Sequence, residues 1–212
     1  MKRLLPLLKN ATKLLSMFVL ILFTVSACAS RSYIKVNYQL PDKIPVAPAI
    51  TEIRLSVVDQ RNHPDPLTAG AREKLTNFQG NYMLIMAPKG ENTPMEGVYG
   101  LNTLFETVFQ KRLGQMGIRV VDSSARQIPE LKVVITLFQL DLKDYKWHFR
   151  MNYAASLVKD GNVLVTKTFS GEAERLDVPG VDEAGTTVSE MYADLINQLD
   201  IAALLSSLPA AS

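Results

Sequence analysis

Apolar positions recur along this 212-residue chain with different spacings, and each spacing predicts a different element. Near the start, Leu14 to Val25 is apolar except for Ser16 and Thr24. A membrane-spanning helix needs about 20 apolar residues, so this shorter run reads as the hydrophobic core of an export signal. Strict alternation comes next. Ile34, Val36, Tyr38 and Leu40 alternate with mostly polar neighbours, and Ile53, Leu55 and Val57 alternate with Glu52, Arg54 and Ser56, predicting half-buried strands over Tyr33–Leu40 and Thr51–Asp59. The same pattern returns at Leu131, Val133, Ile135 and Leu137, then at Trp147, Phe149, Met151, Tyr153, Ala155 and Leu157, and again at Val163, Val165 and Phe169. Between the last two runs lies Lys159-Asp160-Gly161-Asn162, where Asp-Gly accepts the positive φ angles of a tight hairpin. These runs predict an antiparallel meander.

Helical spacing appears twice. Leu101, Leu104, Phe105, Val108, Leu113 and Met116 fall on one face, and Gly117 supplies the left-handed residue that ends a helix there. Past Pro179 and Gly180, Val188, Met191, Tyr192, Leu195, Ile196, Leu199, Ala202 and Ala203 form a second stripe running to about Ser206. The short Ile118–Val121 strand after the first helix is expected to lie parallel to the Thr51 strand through a right-handed crossover. From Asn62 to Gly97 turn residues dominate, so this stretch reads as mostly loop, with Asn81–Ala87 apolar enough for a short strand. Each helix has one apolar stripe to bury, and an apolar sheet face is the large partner available. The expected fold is α+β: one mixed, largely antiparallel sheet of about five or six strands with two long helices packed on one face. Residues 1–27 read as a signal peptide, 28–50 as an acylated N-terminus with a Pro-containing spacer, and 51–208 as a single domain.

The leader also carries chemistry. Lys2, Arg3, Lys9 and Lys13 precede the apolar run, and Val25-Ser26-Ala27-Cys28 follows it, ending on the single cysteine of the chain. A lone thiol in an oxidising compartment has no internal disulfide partner, and acylation consumes it. Several acyl chains on Cys28 would make a stable anchor where one would not. The whole chain has 23 basic and 21 acidic side chains; removing the leader leaves 19 against 21, a net of −2. That nearly neutral surface has no basic tract for nucleic acid.

Catalytic groups are sparse. His63 sits in a Pro-rich turn and His148 on the polar phase of a strand; neither belongs to a metal-ligand spacing, so no metal and no cofactor is expected. Glu172 and Glu174 share a strand face, an arrangement that more often serves solubility than acid–base chemistry. Asp59 and Arg61 at the end of the first firm strand read as a surface ion pair, contributing under about 1 kcal/mol. Met83, Leu84, Ile85 and Met86 form an apolar cluster, either core or a contact for a partner or lipid, since Met-rich surfaces adapt to varied partners.

The lipobox-like Val25-Ser26-Ala27-Cys28, the Tyr33-Ile34-Lys35-Val36-Asn37-Tyr38 segment, the strand ending Val57-Val58-Asp59-Gln60-Arg61, Gly117-Ile118-Arg119-Val120, the Lys159-Asp160-Gly161 hairpin with Lys167-Thr168-Phe169-Ser170-Gly171, and the closing helix together resemble the YajG-type bacterial lipoproteins. The long Asn62–Gly97 stretch departs from that pattern. The resemblance implies an outer-membrane lipoprotein facing the periplasm and transfers no catalytic residue; Ala29 after the cysteine agrees with the outer membrane by the family's sorting rule. A more distant likeness in layout is to auxiliary lipoproteins of lipid transporters and to the lipopolysaccharide-assembly lipoprotein. The expected function is a non-enzymatic binding or assembly accessory, anchored to the membrane through Cys28, with an envelope protein or lipid as partner. The alternatives are an auxiliary lipoprotein of an envelope lipid-transport system and a small hydrolase using His63 or His148. Acylation and cleavage before Cys28 are checked by mass spectrometry of the membrane-extracted N-terminal peptide. Cys28→Ser should release the protein from the membrane fraction, and an unmodified thiol on Cys28 would refute the anchor.

Overall fold

The computed structural model describes residues 32–41, 50–87, 95–122 and 127–208. Cys28 and the rest of the leader lie outside these residues, and the compact unit begins at Ser32. The described strands form two sheets where the sequence pattern predicts one. The larger runs β5 (Arg119–Val120), β2 (Glu52–Asp59), β6 (Glu130–Lys143), β7 (Lys146–Lys159) and β8 (Asn162–Leu176) in that order. The smaller runs β1 (Tyr33–Gln39), β3 (Asn81–Ala87) and β4 (Met95–Tyr99).

The second sheet comes from the stretch expected to be mostly loop. Asn81–Ala87 is a strand that pairs in parallel with β1, Ile34 opposite Tyr82 and Val36 opposite Leu84, and then antiparallel with β4. The Tyr33 strand therefore belongs to this sheet, and its apolar phase, Ile34, Val36 and Tyr38, is buried. The same stretch holds a short helix, α1 (Ala69–Lys74), flush against β6: a side chain on Gly70 would collide with the Leu142 carbonyl. Glycine is required there for close approach, which is why a residue that disfavours helices occupies the second position of this one.

The larger sheet follows its alternation closely. β2 is parallel to β5, as the strand-helix-strand reading expects, and also to β6, which that reading does not address, while β6, β7 and β8 form the antiparallel meander. Asp160 and Gly161 both take positive φ in the β7–β8 turn. Asp144 and Tyr145 do the same between β6 and β7 without a glycine, a turn that composition does not announce.

Helix α2 (Leu101–Gln115) ends as its glycine predicts: Gly117 has φ of 76° and the Ile118 N–H returns to the Leu113 carbonyl at 3.0 Å. The closing stripe is not one helix but two, α3 (Glu183–Gln198) and α4 (Ile201–Leu205). Asp200 makes the break, because its carboxylate accepts the Ala203 N–H at 2.9 Å and starts a new helix. Both long helices and the small sheet cover the same face of the large sheet. Phe105 of α2 packs edge-on against Tyr153 of β7 (6.0 Å between centroids) and Tyr192 of α3 (5.2 Å), while Tyr82 of β3 meets Phe138 of β6 at 5.3 Å.

One side of the C-terminal end of α3 is pressed into this aromatic core, where the carbonyls of Leu195, Ile196 and Leu199 are buried. Arg112 of α2, 7 % exposed, supplies the donors: one guanidinium nitrogen binds the Ile196 carbonyl and another the Leu199 carbonyl at 2.7 Å. Tyr153 donates to the Leu195 carbonyl at 2.9 Å. The positive charge also opposes the negative end of the helix dipole. Replacing Arg112 with Met should cost about 3 kcal/mol, because two buried carbonyls lose their donors. Urea unfolding measures this, and an unchanged midpoint would show that those carbonyls find other partners.

Candidate functional site

The outer face of the large sheet is polar and carries both of the acids and one of the histidines singled out from the sequence. His148 of β7 lies opposite Asp141 of β6 and Glu174 of β8, and Arg150 lies opposite Gln139 and Glu172. The twist of the sheet curls these residues around a cleft of roughly 550 Å³. Its charges are matched: Lys146 Nζ is 2.7 Å from Glu174 Oε1, and His148 Nδ1 is 3.5 Å from Glu174 Oε2. The Lys146 hydrogen bond holds the Glu174 carboxyl below its usual range, with His148 adding to the effect, so Glu174 is an ionised acceptor rather than a proton donor. His63 stands apart, exposed in the turn after β2. Among the described residues, no group of three or more His, Cys, Asp or Glu could hold a metal ion.

The Asp59–Arg61 pair is half-buried rather than fully exposed. The Arg61 side chain is 7 % exposed, and its Nε and Nη2 grip the two Asp59 oxygens at 2.9 and 2.7 Å. Nη1 donates to the Phe138 carbonyl at 3.2 Å, so Arg61 ties the exit of β2 to the register shift in β6, which lies between Ile135 and Leu137. The two-residue spacing was legible as a contact, but its burial depends on the small sheet closing over it, which the sequence does not show. The pair forms one wall of a second cleft of roughly 320 Å³, bounded also by Pro64, Pro66, Tyr82 and the N-terminal turn of α2.

Met83, Leu84, Ile85 and Met86 lie on β3 rather than in a loop. Leu84 and Met86 point into the core at 0 % and 4 % exposure, while Met83 and Ile85 are half-buried on the opposite face. Strand periodicity splits the four residues, so they cannot act together as one contact patch. Contact through Leu84 or Met86 would require opening the core.

The sheet edges differ in kind. The free edge of β1 is sealed by α3: the Asn37 N–H donates to Ser189 Oγ at 2.9 Å, and Asn197 Nδ2 donates to the Gln39 carbonyl at 3.3 Å while Asn197 Oδ1 accepts from Tyr38 at 2.6 Å. At the other end of the large sheet β5 has two residues. Among the described strands, β8, with 15 residues, pairs only with β7. Its second half is tied to α3, where Arg175 bridges to Glu190 and Glu183 and Gly171 sits beneath Met191. From Asn162 to Ser170 every residue except Val165 and Phe169 is exposed, and Val163 is 62 % exposed. Strand order, which alternation along the sequence does not encode, is what locates this open edge.

No family model matches the chain, and no curated protein does. Among solved structures, it is similar to protein XCC0632 of Xanthomonas campestris, a DUF330 protein, with 13 % identity, 81 % of this chain and 95 % of that one covered, and a TM-score of 0.47. The rare lipoprotein B of Shewanella oneidensis shares 13 % identity over 68 % of this chain and 89 % of its own, with a TM-score of 0.35. Lipoprotein GNA1162 of Neisseria meningitidis also shares 13 % identity, over 70 % and 99 %, at 0.26. Similarity at this level assigns neither a family nor an activity.

The half-buried Asp59–Arg61 pair has a measurable consequence. Asp59 is held below the ordinary aspartate value of 3.8, chiefly by its hydrogen bond from Arg61. A depressed folded-state value contributes stability that is present above the unfolded value and is lost as pH falls through the folded one. Asp59→Asn should therefore unfold more easily at pH 7 but lose less stability than wild type between pH 5 and pH 2, read from denaturation midpoints across that range. Parallel midpoint curves for the two proteins would refute the assignment.

Proposed function

We propose that the chain is a lipid-tethered envelope module that faces the periplasm and binds rather than catalyses, holding an extended segment of a partner protein along β8. The observation that carries this reading is the open Asn162–Ser170 half of β8, a long edge left uncovered in a fold that seals the β1 edge with specific side chains. Natural sheets blunt edges of this length with charges and bulges; here Lys167 and the register shift beside Val163 do so only locally, and the Thr-rich remainder suits strand addition, in which main-chain hydrogen bonds supply affinity and alternate side chains supply selectivity. Val165 and Phe169 flank the edge on its inner side, Phe169 stacked on Tyr153 at 4.9 Å, and they offer an apolar shelf to alternate residues of an added strand.

The location in this reading comes from the leader, the lipobox-like sequence before Cys28 and the resemblance to YajG-type lipoproteins, with Ala29 favouring the outer membrane. A role as auxiliary lipoprotein in lipid transport is compatible with the same surface, because such a role also requires docking on a larger assembly. The hydrolase reading has less support: His148 is engaged with Glu174 on an open face, and His63 is remote from it.

Photo-crosslinking amino acids placed in turn at Thr166, Thr168 and Tyr145 of the tethered protein in cells test the proposal. Adducts with one discrete envelope protein from Thr166 and Thr168, and none from the 84 % exposed Tyr145, are the expected result. Equal labelling from all three positions, or none from β8 in a folded and exported protein, would refute binding along this edge.

A further inference from the structure

The second cleft combines two features that each lack a partner. Tyr82 lies on β3 opposite Tyr99, the residue just before the Gly100 N-cap of α2, so its ring is delivered to the start of that helix. Phe78 and Phe138 pack edge-on against it at 5.7 and 5.3 Å, and the residue is 1 % exposed. Its hydroxyl nevertheless makes no hydrogen bond. Buried tyrosine hydroxyls ordinarily find an acceptor, and an unmade bond in a dry site is costly.

The N-terminus of the 15-residue α2 opens on the same cleft through Gly100, Leu101, Asn102 and Thr103. Gly100 brings no capping side chain, and the first turn carries no acid. The first N–H groups of the helix are thus aimed outward without the acceptor that Ser, Thr, Asp or Asn would supply. A Cβ on Gly100 or Gly80 would meet nothing within 4 Å, so the space beside both glycines is open.

The charges around the cleft are already balanced. Arg61 is committed to Asp59, and Asp65 is engaged by Arg72 and by the Leu67 N–H. With no free cation among the described residues that line it, the attraction comes from the helix dipole and neutral donors, a combination that suits a group bearing a single negative charge better than a dianion. A tetrahedral group can also present different oxygens to the helix terminus and to the tyrosine wall at once.

We propose that the cleft between Tyr82 and the N-terminal turn of α2 binds a singly charged phosphate-type oxyanion, which accepts hydrogen bonds from the helix N–H groups and from the Tyr82 hydroxyl. The group is either free phosphate monoanion or the phosphodiester of an anionic lipid headgroup. The site lies away from β8 and stands or falls independently of strand addition there.

Two variants test it in the full-length protein in neutral detergent, with inorganic phosphate at pH 6 as one probe and phosphatidylglycerol against phosphatidylcholine vesicles as the other. Tyr82→Phe removes only an unpaired hydroxyl, so without ligand its denaturation midpoint should equal or exceed that of wild type. Its affinity for the probe should fall about tenfold, the loss expected for one hydrogen bond to a charged group. Gly100→Asp places a carboxylate at the N-cap, where φ of −69° accepts any residue; it should raise the midpoint and abolish binding. Phosphate binding that both variants weaken supports the site with a free anion as ligand. Binding seen only with phosphatidylglycerol, and weakened by both, supports it with a headgroup as ligand. No binding of either probe, or binding that both variants leave intact, would overturn it.

Discussion

A helix that ends inside an aromatic core must find donors for its last carbonyls, and the way α3 meets that requirement determines much of the rest. Burying an arginine that is hydrogen-bonded to no carboxylate is costly, and desolvation lowers the pKa of Arg112, a shift that the nearby tyrosine hydroxyls and the Asp200 carboxylate only partly oppose. What offsets the cost is a set of carbonyl dipoles at a helix C-terminus, the one neutral environment that suits a cation. Because Arg112 is on α2 and its acceptors are on α3, the interaction fixes the two helices against each other. Tyr153 reaches the same turn from β7, so the large sheet is held to this junction as well. The hydroxyls of Tyr38, Tyr153 and Tyr192 crowd around it, and burial pushes Tyr38 up to about 12.

From that junction α3 runs back along β1, and the distribution of order in the molecule follows. Ser189 and Asn197 stand two turns apart on one face of α3, and they satisfy backbone groups on a strand edge that would otherwise be open. Ser189 also donates to the Gly185 carbonyl at 2.6 Å, the local bond by which serine is tolerated within a helix. β8 receives this protection only over its second half. The contrast is chemical rather than accidental, since one edge is matched to polar side chains and the other presents a mixture of Thr, Lys and exposed Val.

Local signals carried the meander, the α2 stripe with its Gly117 stop, the parallel β2 and β5, and the Asp160-Gly161 turn, because each is written within a few residues. The second sheet was not legible as a sheet. The β1–β3 pairing joins distant segments, and the turn-rich residues between them are indistinguishable in composition from a loop. Gly70 shows the same limit: in sequence it argues against a helix, and only the Leu142 carbonyl beside it shows why it is needed. For the site, the Asp59–Arg61 contact was visible in the spacing but its burial was not. Tyr82 was hidden by its own residue type, since a tyrosine on the apolar phase of a strand looks like core until its hydroxyl is followed.

The sealing of β1 has a consequence for how the chain reaches its native state. The first strand to be made is closed by a side chain that lies 152 positions downstream. In a chain threaded across a membrane from its N-terminus, as the leader implies, Asn37 emerges before Ser189. Throughout that interval an apolar strand with an unsatisfied edge has no native partner on one side, and contacts of such long range form late. The order of synthesis thus opposes the order of assembly. The segment nearest Cys28 is the last to be locked, which gives a folding helper its longest access at the end of the chain where an anchor would be attached.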